Sequence, residues 1–194
     1  MRLFTCIDLP KAMRLKLTEI GHGLPRIRWL HEDQLHLTLV FIGEVKPALL
    51  AAIVEQLNQV EYPSFELQCR GFGTFRSKVL WLGIEPTPSL IRLEKSIRQR
   101  LSALPGIELD RRKYHPHITI ARMDRFRPPK LEQFLRNNDS TQFSFEVRTF
   151  QLKSSQLSGK GARHHTEQVF HAADRQPFLG SNAETPVSGD KTDV

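Results

Sequence analysis

The sequence predicts an α+β fold built from two similar halves. Predicted strands and helices alternate along the chain, and a motif of the form His-apolar-Thr-apolar occurs on one predicted strand in each half. The motifs begin at His36 and His117, which are 81 residues apart (117 minus 36). Because self-similarity at a fixed spacing indicates repeated units, we expect an internal duplication and a pseudo-twofold molecule in which the two motif strands face each other.

The first half contains three predicted strands separated by two helices. The strands span residues 2–8, 35–42 and 65–75. Pro10 begins the first helix, in which apolar residues recur at helical spacing, at Met13, Leu17, Ile20 and Leu24. A loop over residues 25–34 leads to the motif strand. Pro47 begins the second helix, whose apolar face consists of Leu50, Ile53, Val54 and Leu57.

The second half repeats this order. Its predicted strands span residues 78–84, 117–121 and 143–151, and its helices span residues 88–103 and 129–137. A last strand, residues 166–173, is expected to complete the sheet. Residues 174–194 are polar and lack hydrophobic periodicity, so we expect a disordered tail that follows one domain of residues 1–173.

The composition narrows the class of protein. There are 28 Lys and Arg against 21 Asp and Glu, a net charge of +7, which favours polyanionic partners but fits a solubilising surface equally well. No apolar segment approaches the roughly 20 residues that span a bilayer, and Asp8 and Pro10 interrupt any signal-peptide core, so we expect no membrane association. Cys6 and Cys69 lie in separate apolar segments and are expected to be reduced thiols of a cytoplasmic protein.

Each motif places a titratable ring and a hydroxyl on one face of a strand. Because strand side chains alternate between faces, His36 and Thr38 share a face, as do His117 and Thr119. An imidazole has an unperturbed pKa of about 6.5, so it can accept or donate a proton near neutral pH. The residues expected on the opposite, core-facing side are Leu37, Leu39, Phe41, Ile118 and Ile120. We interpret Phe41 as a core aromatic, and stacking on a nucleobase is the alternative.

A third His-x-Thr triplet lies near the end of the predicted domain. His164, His165 and Thr166 are preceded by Arg163 and followed by Glu167, so the apolar alternation that would bury one face is missing. We therefore predict a solvated loop or a strand edge for this copy, and we do not group it with the other two.

The segments HLTLVFIG and PHITIAR resemble the paired His-apolar-Thr-apolar motifs of the two-histidine (2H) phosphoesterase superfamily. Within that superfamily, MRLFTCIDLP, RWLHEDQLHLTLVFIGEV and YHPHITIAR are most similar to the bacterial RNA 2′,3′-cyclic phosphodiesterases, also called 2′-5′ RNA ligase-like proteins. The resemblance extends from residue 1 to about residue 173, and both histidines and both threonines match the motifs.

The resemblance implies a bilobal fold in which two antiparallel sheets, with helices outside, line a central cleft. It implies hydrolysis of RNA 2′,3′-cyclic phosphate ends to 2′-phosphates without a metal or cofactor, and it allows reversible 2′-5′ RNA ligation. His117 would act as the general base for water and His36 as the general acid for the leaving 3′-oxygen. Thr38 and Thr119 would bind the nonbridging phosphate oxygens. We expect a monomer.

Arg122 also matches the family pattern, in which it would contact phosphate or nucleotide. Strict strand alternation turns its side chain toward the apolar face. The role therefore requires the strand to end or bend near residue 121.

Two other classes of protein remain open from the sequence. One is a basic RNA-binding module whose histidines only form hydrogen bonds in the cleft, which predicts salt-sensitive RNA affinity without turnover. The other is a metal site formed by His115, His117, His164 and His165. The spacing of His115 and His117 does not match the common structural zinc motifs, and neither cysteine is near in sequence.

Overall fold

The computed structural model describes residues 1–21, 24, 27–75, 78–123, 128–158 and 161–173. Four α-helices occur in these ranges: α1 (Lys11–Ile20), α2 (Leu50–Asn58), α3 (Pro88–Ser102) and α4 (Leu131–Asn137). Nine strands occur in the same ranges: β1 (Arg2–Asp8), β2 (Arg28–Trp29), β3 (His36–Glu44), β4 (Phe65–Phe75), β5 (Val79–Ile84), β6 (His117–Arg122), β7 (Gln142–Val147), β8 (Thr149–Ser158) and β9 (Gly161–His171). The predicted tail, residues 174–194, lies outside the described residues.

The described strands form one antiparallel sheet. Eight of them follow the order β7-β4-β5-β6-β3-β1-β8-β9, and the short β2 pairs with β6. The middle of the sheet is its narrowest point, because β3 and β6 pair only at Leu37 and Ile118. The prediction of two separate sheets is therefore not confirmed, since hydrogen bonds connect all the described strands. We call the strands on the β3 side of this pairing the first lobe and those on the β6 side the second lobe.

Each lobe contains strands from both halves of the sequence. In the first lobe β1 pairs with β3 and, on its other side, with the late strand β8. In the second lobe β5 pairs with β6 and, on its other side, with the early strand β4. The strand β4, which follows β3 and α2, thus joins the second lobe, and β8, which follows β6, α4 and β7, joins the first lobe. Neither lobe is a contiguous piece of chain.

The helices pack their apolar faces against the sheet. In α3, for example, Leu90, Leu93, Ile97 and Leu101 are buried at three- and four-residue intervals, and they belong to the same hydrophobic cluster as the buried strand residues. Burying each such side chain stabilises the fold by roughly 1.5–3 kcal/mol. The hydroxyl of Thr87 accepts a hydrogen bond from the backbone N–H of Leu90 and so caps the start of the helix.

Several predicted boundaries differ from the structure. The predicted strand over residues 143–151 is two strands, β7 and β8, which run in different lobes and are separated at Arg148. The last strand begins at Gly161 rather than residue 166, because β8 and β9 form one long antiparallel pair. The predicted loop over residues 25–34 contains β2, whose two residues pair with the end of β6. No helix of the described residues has the length and apolarity to cross a membrane.

Candidate active site

The two His-apolar-Thr motifs lie side by side at the junction of the lobes. The one pairing between β3 and β6 joins Leu37 to Ile118, which are the second residues of the two motifs. In this antiparallel register His36 takes the position opposite Thr119, and Thr38 takes the position opposite His117. Their four side chains share the face that Leu37 and Ile118, both fully buried, turn away from. The fold thus brings together all four predicted motif residues.

Both motif histidines are held in the same tautomer. The Nδ1 atom of His36 lies 2.7 Å from the carbonyl oxygen of Gln34, and Nδ1 of His117 lies 2.7 Å from the carbonyl oxygen of His115. A carbonyl oxygen only accepts hydrogen bonds, so each Nδ1 carries the proton. In the neutral rings Nε2 is then the acceptor, and in His36 it lies 3.1 Å from the hydroxyl of Thr38.

Burial favours the neutral form of both rings. It lowers the pKa of His36 to about 4, with a further decrease from the nearby His164, while the hydrogen bond to Gln34 opposes the shift. Burial also lowers the pKa of His117, against the hydrogen bond from its ring to the carbonyl of His115. Near neutral pH the unliganded site therefore presents two neutral imidazoles.

Matching β-bulges bring two more side chains to this face. Opposite β1, Leu39 is an extra residue in β3, and opposite β5, Ile120 is an extra residue in β6. Each extra residue stands three positions after its motif histidine, and it reverses the alternation that follows. Phe41 and Arg122, each five positions after its histidine, are consequently exposed on the motif face.

The bulges contradict the prediction made for Phe41, and they supply the bend that the prediction for Arg122 requires. Phe41 was expected in the core, but its side chain is 42% exposed and the guanidinium of Arg2 lies 4.9 Å from the centre of its ring. The core interpretation of Phe41 is wrong because the alternation does not continue past Leu39. Arg122 required a bend near residue 121, and the bulge at Ile120 supplies it.

The motif residues line a cavity of about 720 Å³. Phe41, Arg122 and all four motif side chains belong to its wall. The described lining residues include three arginines and no carboxylate, which makes the cavity suitable for an anion. The residues that complete the lining are Arg2, Phe4, Arg28, Trp29, Leu30, His31, Gln34, Ser155, Gly161, Ala162 and His164.

Sequence reasoning missed His164 as a lining residue. Its triplet does lie on a strand edge, since β9 is the last strand of the sheet, but the side chain of His164 is partly buried in the cavity wall. His165 and Thr166 are exposed, as predicted for a solvated segment. In the β8–β9 pair His164 lies opposite Ser155, which also lines the cavity, and no local pattern in the sequence indicates that pairing.

The histidines proposed as an alternative metal site do not form a cluster. His115 and His117 lie on the second lobe with ring centres 6.2 Å apart, whereas His164 contacts His36 on the first lobe. In the part of the chain that the structure describes, no three His, Cys, Asp or Glu side chains are grouped so that they could hold a metal ion.

The chain belongs to the 2′-5′ RNA ligase superfamily, whose sequence model matches residues 16–157. This match confirms the resemblance found in the motifs. Curated relatives named RNA 2′,3′-cyclic phosphodiesterase include a protein from Archaeoglobus fulgidus, 33% identical over 88% of this chain and 99% of its own length. Another, from Thermotoga maritima, is 34% identical over 83% of this chain and 90% of its own length.

Solved structures show the same architecture. The crystal structure of E. coli LigT complexed with 3′-AMP is 30% identical, with a TM-score of 0.73 over 89% of this chain and 98% of that chain. E. coli LigT complexed with phosphate gives a TM-score of 0.68 at 28% identity, over 88% of this chain and 96% of that chain.

Proposed function

We propose that this chain hydrolyses RNA ends that carry a 2′,3′-cyclic phosphate, leaving a 2′-phosphate, by acid–base catalysis with His36 and His117 and without a metal ion or cofactor. The observation that carries the proposal is the β3–β6 pairing, which brings two imidazoles and two hydroxyls to one face of a cationic cavity. The names of the curated relatives support the choice of substrate.

His117 acts as the general base in this mechanism. Its Nδ1–H is bonded to a carbonyl and its pKa is lowered by burial, so Nε2 is free of a proton and can accept one from water. The water oxygen attacks phosphorus as the bond from phosphorus to the ribose 3′-oxygen breaks. The 2′-oxygen keeps its bond to phosphorus, which yields the 2′-phosphate.

His36 acts as the general acid and donates the Nε2 proton to the leaving 3′-oxygen. Burial opposes this charge, because it lowers the pKa of His36 to about 4. A bound phosphate anion acts in the opposite direction, since a negative charge within a few ångströms favours the imidazolium. Once Nε2 of His36 is protonated it no longer accepts from Thr38, whose hydroxyl can then donate to a nonbridging phosphate oxygen.

The first test is hydrolysis of an oligonucleotide with a terminal 2′,3′-cyclic phosphate in the presence of EDTA. We expect wild-type turnover, a 2′-phosphate product, and at least a hundredfold lower rate for His36→Ala and His117→Ala, as is typical for loss of an acid or base. His165→Ala is the matched control, because its exposed side chain lies outside the cavity wall. Unchanged substrate in the wild-type reaction, or full activity in both variants, would reject the proposal.

A substrate with sulfur in place of the leaving 3′-oxygen tests the assignment of roles. Sulfur leaves without protonation, so the variant that lacks the general acid should recover on this substrate, whereas the variant that lacks the base should not. We expect recovery in His36→Ala. Recovery in His117→Ala instead would exchange the two roles and leave the two-histidine mechanism in place.

The same site can support reversible 2′-5′ ligation. If the 5′-hydroxyl of a second RNA replaces water, the same attack on phosphorus joins the strands through a 2′-5′ phosphodiester, with the same proton transfers at His117 and His36. Adding an acceptor strand with a free 5′-hydroxyl to the hydrolysis assay would reveal this product. A binding module without catalysis is the alternative, and it predicts RNA affinity without either product.

We also propose that the two lobes derive from a duplicated unit. The equivalent bulges three residues after His36 and His117 support this, as do the equivalent pairings of β1 with β3 and β5 with β6. The strands β4 and β8 also occupy equivalent positions, because β4 lies on the outer side of β5 in the second lobe and β8 lies on the outer side of β1 in the first lobe.

A further inference from the structure

His36 is packed in a cluster of three rings on the first lobe. Its ring centre lies 5.0 Å from that of Phe4, at an angle of 31°, and 5.3 Å from that of His164, nearly perpendicular at 83°. The rings of Phe4 and His164 are themselves 5.0 Å apart. Each ring therefore contacts both others, and the orientation of His36 depends on a side chain from β9 that is far from it in sequence.

The second lobe holds His117 in a related but more open arrangement. His117 packs edge-on against Phe75 at 4.9 Å, and His115 is the neighbouring imidazole, at 6.2 Å. His115 is exposed and is not part of the cavity wall, whereas His164 is partly buried and belongs to it. The imidazole beside His36 thus differs from the one beside His117 in distance, burial and access to the cavity.

We propose that His164 is a positioning residue of this site, which fixes the ring of His36 from the side and couples the charge of the two rings so that no more than one of them is an imidazolium. Two imidazolium ions at this separation in a partly buried site repel each other, so charging either ring disfavours charging the other. The Nδ1 atom of His164 is buried and has no hydrogen-bond partner among the described residues, which adds to the cost of a charge there.

The charged groups around the pair do not remove this coupling. Asp8 of β1 favours the charged forms of both rings, and Lys153 of β8 disfavours them, but Nζ of Lys153 lies 2.6 Å from Oδ1 of Asp8, so the two largely offset each other. On the cavity side the described charged residues are the arginines Arg2, Arg28 and Arg122, which also disfavour a second positive charge on the pair. Burial lowers the pKa of His164 as it does that of His36.

The consequence for catalysis rests on the proposed function. If His36 must be protonated to act as the acid, a neutral His164 is the condition for that state. The negative charge of a substrate anion then favours protonation of one ring of the pair, His36.

NMR titration of the His36 ring in the substrate-free protein tests the coupling without any assay of activity. The ring signal is assigned by its loss in His36→Gln and followed from pH 3 to pH 8. We expect a higher pKa for His36 in His164→Phe, which keeps the edge contact, than in the wild type. The control His165→Phe, on the exposed side of the same strand, should leave the pKa of His36 unchanged.

A second measurement covers the case in which His164→Phe does not fold. By thermodynamic linkage the pKa of His164 must also rise in His36→Gln, which leaves β9 untouched. Equal pKa values for His36 in wild type and His164→Phe, or for His164 in wild type and His36→Gln, would overturn the proposal. These results are independent of turnover, so the coupling can fail while the proposed hydrolysis stands, and the hydrolysis can fail while the coupling stands.

Discussion

At the scale of single residues, the cost of charging His36 links the site to the stability of the fold. The unfolded chain binds a proton at this histidine near pH 6.5, whereas burial lowers the pKa in the folded protein to about 4. The stability that comes from keeping the ring neutral is therefore complete above pH 6.5. It is lost as the pH falls through 6.5 toward 4, because the unfolded state then binds more protons than the folded state.

We therefore expect His36 to lower the free energy of unfolding at acidic pH. Between pH 7 and pH 4 the free energy of unfolding of the wild type should fall by up to about 3 kcal/mol more than that of His36→Gln. Urea denaturation at several pH values measures this difference. Parallel pH dependences for the two proteins would show that His36 titrates normally in the fold.

Arg122 is the cationic residue closest in sequence to a motif, and we expect it to bind the substrate phosphate or nucleotide. Its exposed guanidinium lines the cavity. Loss of one charge-assisted hydrogen bond costs about 1.5–3 kcal/mol, so Arg122→Met should raise KM about tenfold or more with a smaller effect on kcat. Steady-state kinetics on the cyclic-phosphate oligonucleotide provide the measurement. Arg92→Met, at an exposed position of α3, is the control, and equal KM values in the two variants would exclude a binding role.

At the scale of elements, the sequence predicts each motif strand correctly as far as its threonine. Alternation places His36 and Thr38 on one face because apolar residues occupy the other, and no tertiary information is needed for this. The bulge at Leu39 is different. It depends on the partner strand β1, where the hydroxyl of the fully buried Thr5 accepts a hydrogen bond from the backbone N–H of Val40 at 3.1 Å. The position of Phe41 could not follow from its own strand.

Other elements were predicted or missed for similar reasons. The helix α3 was predicted almost to the residue, because Pro88 at its start and the apolar spacing of Leu90 and Leu101 are local signals. The division of β7 from β8 has no such signal, since both strands are extended and only their partners differ. His164 was missed as a site residue because its orientation depends on pairing across the sheet.

At the scale of the whole molecule, the exchange of β4 and β8 makes each lobe depend on both halves of the chain. We therefore expect neither of the fragments 1–76 and 77–194 to unfold cooperatively alone, because each lacks strands that cover the core of its lobe. Mixing the fragments should restore cooperative unfolding and hydrolysis of the cyclic phosphate. Circular dichroism during thermal denaturation checks this, and a fragment 1–76 that melts cooperatively by itself would contradict it.

The exchange also sets an order of events during synthesis. Arg2 pairs with Ser155 and Leu3 with Ser154, so β1 is translated long before β8, the strand that completes its sheet neighbours. The residues between β1 and β8 must all be translated while the apolar side of β1 is still incompletely covered. Such late closure is slow and leaves nascent chains open to aggregation, so we expect general chaperones to engage this protein while it is being translated.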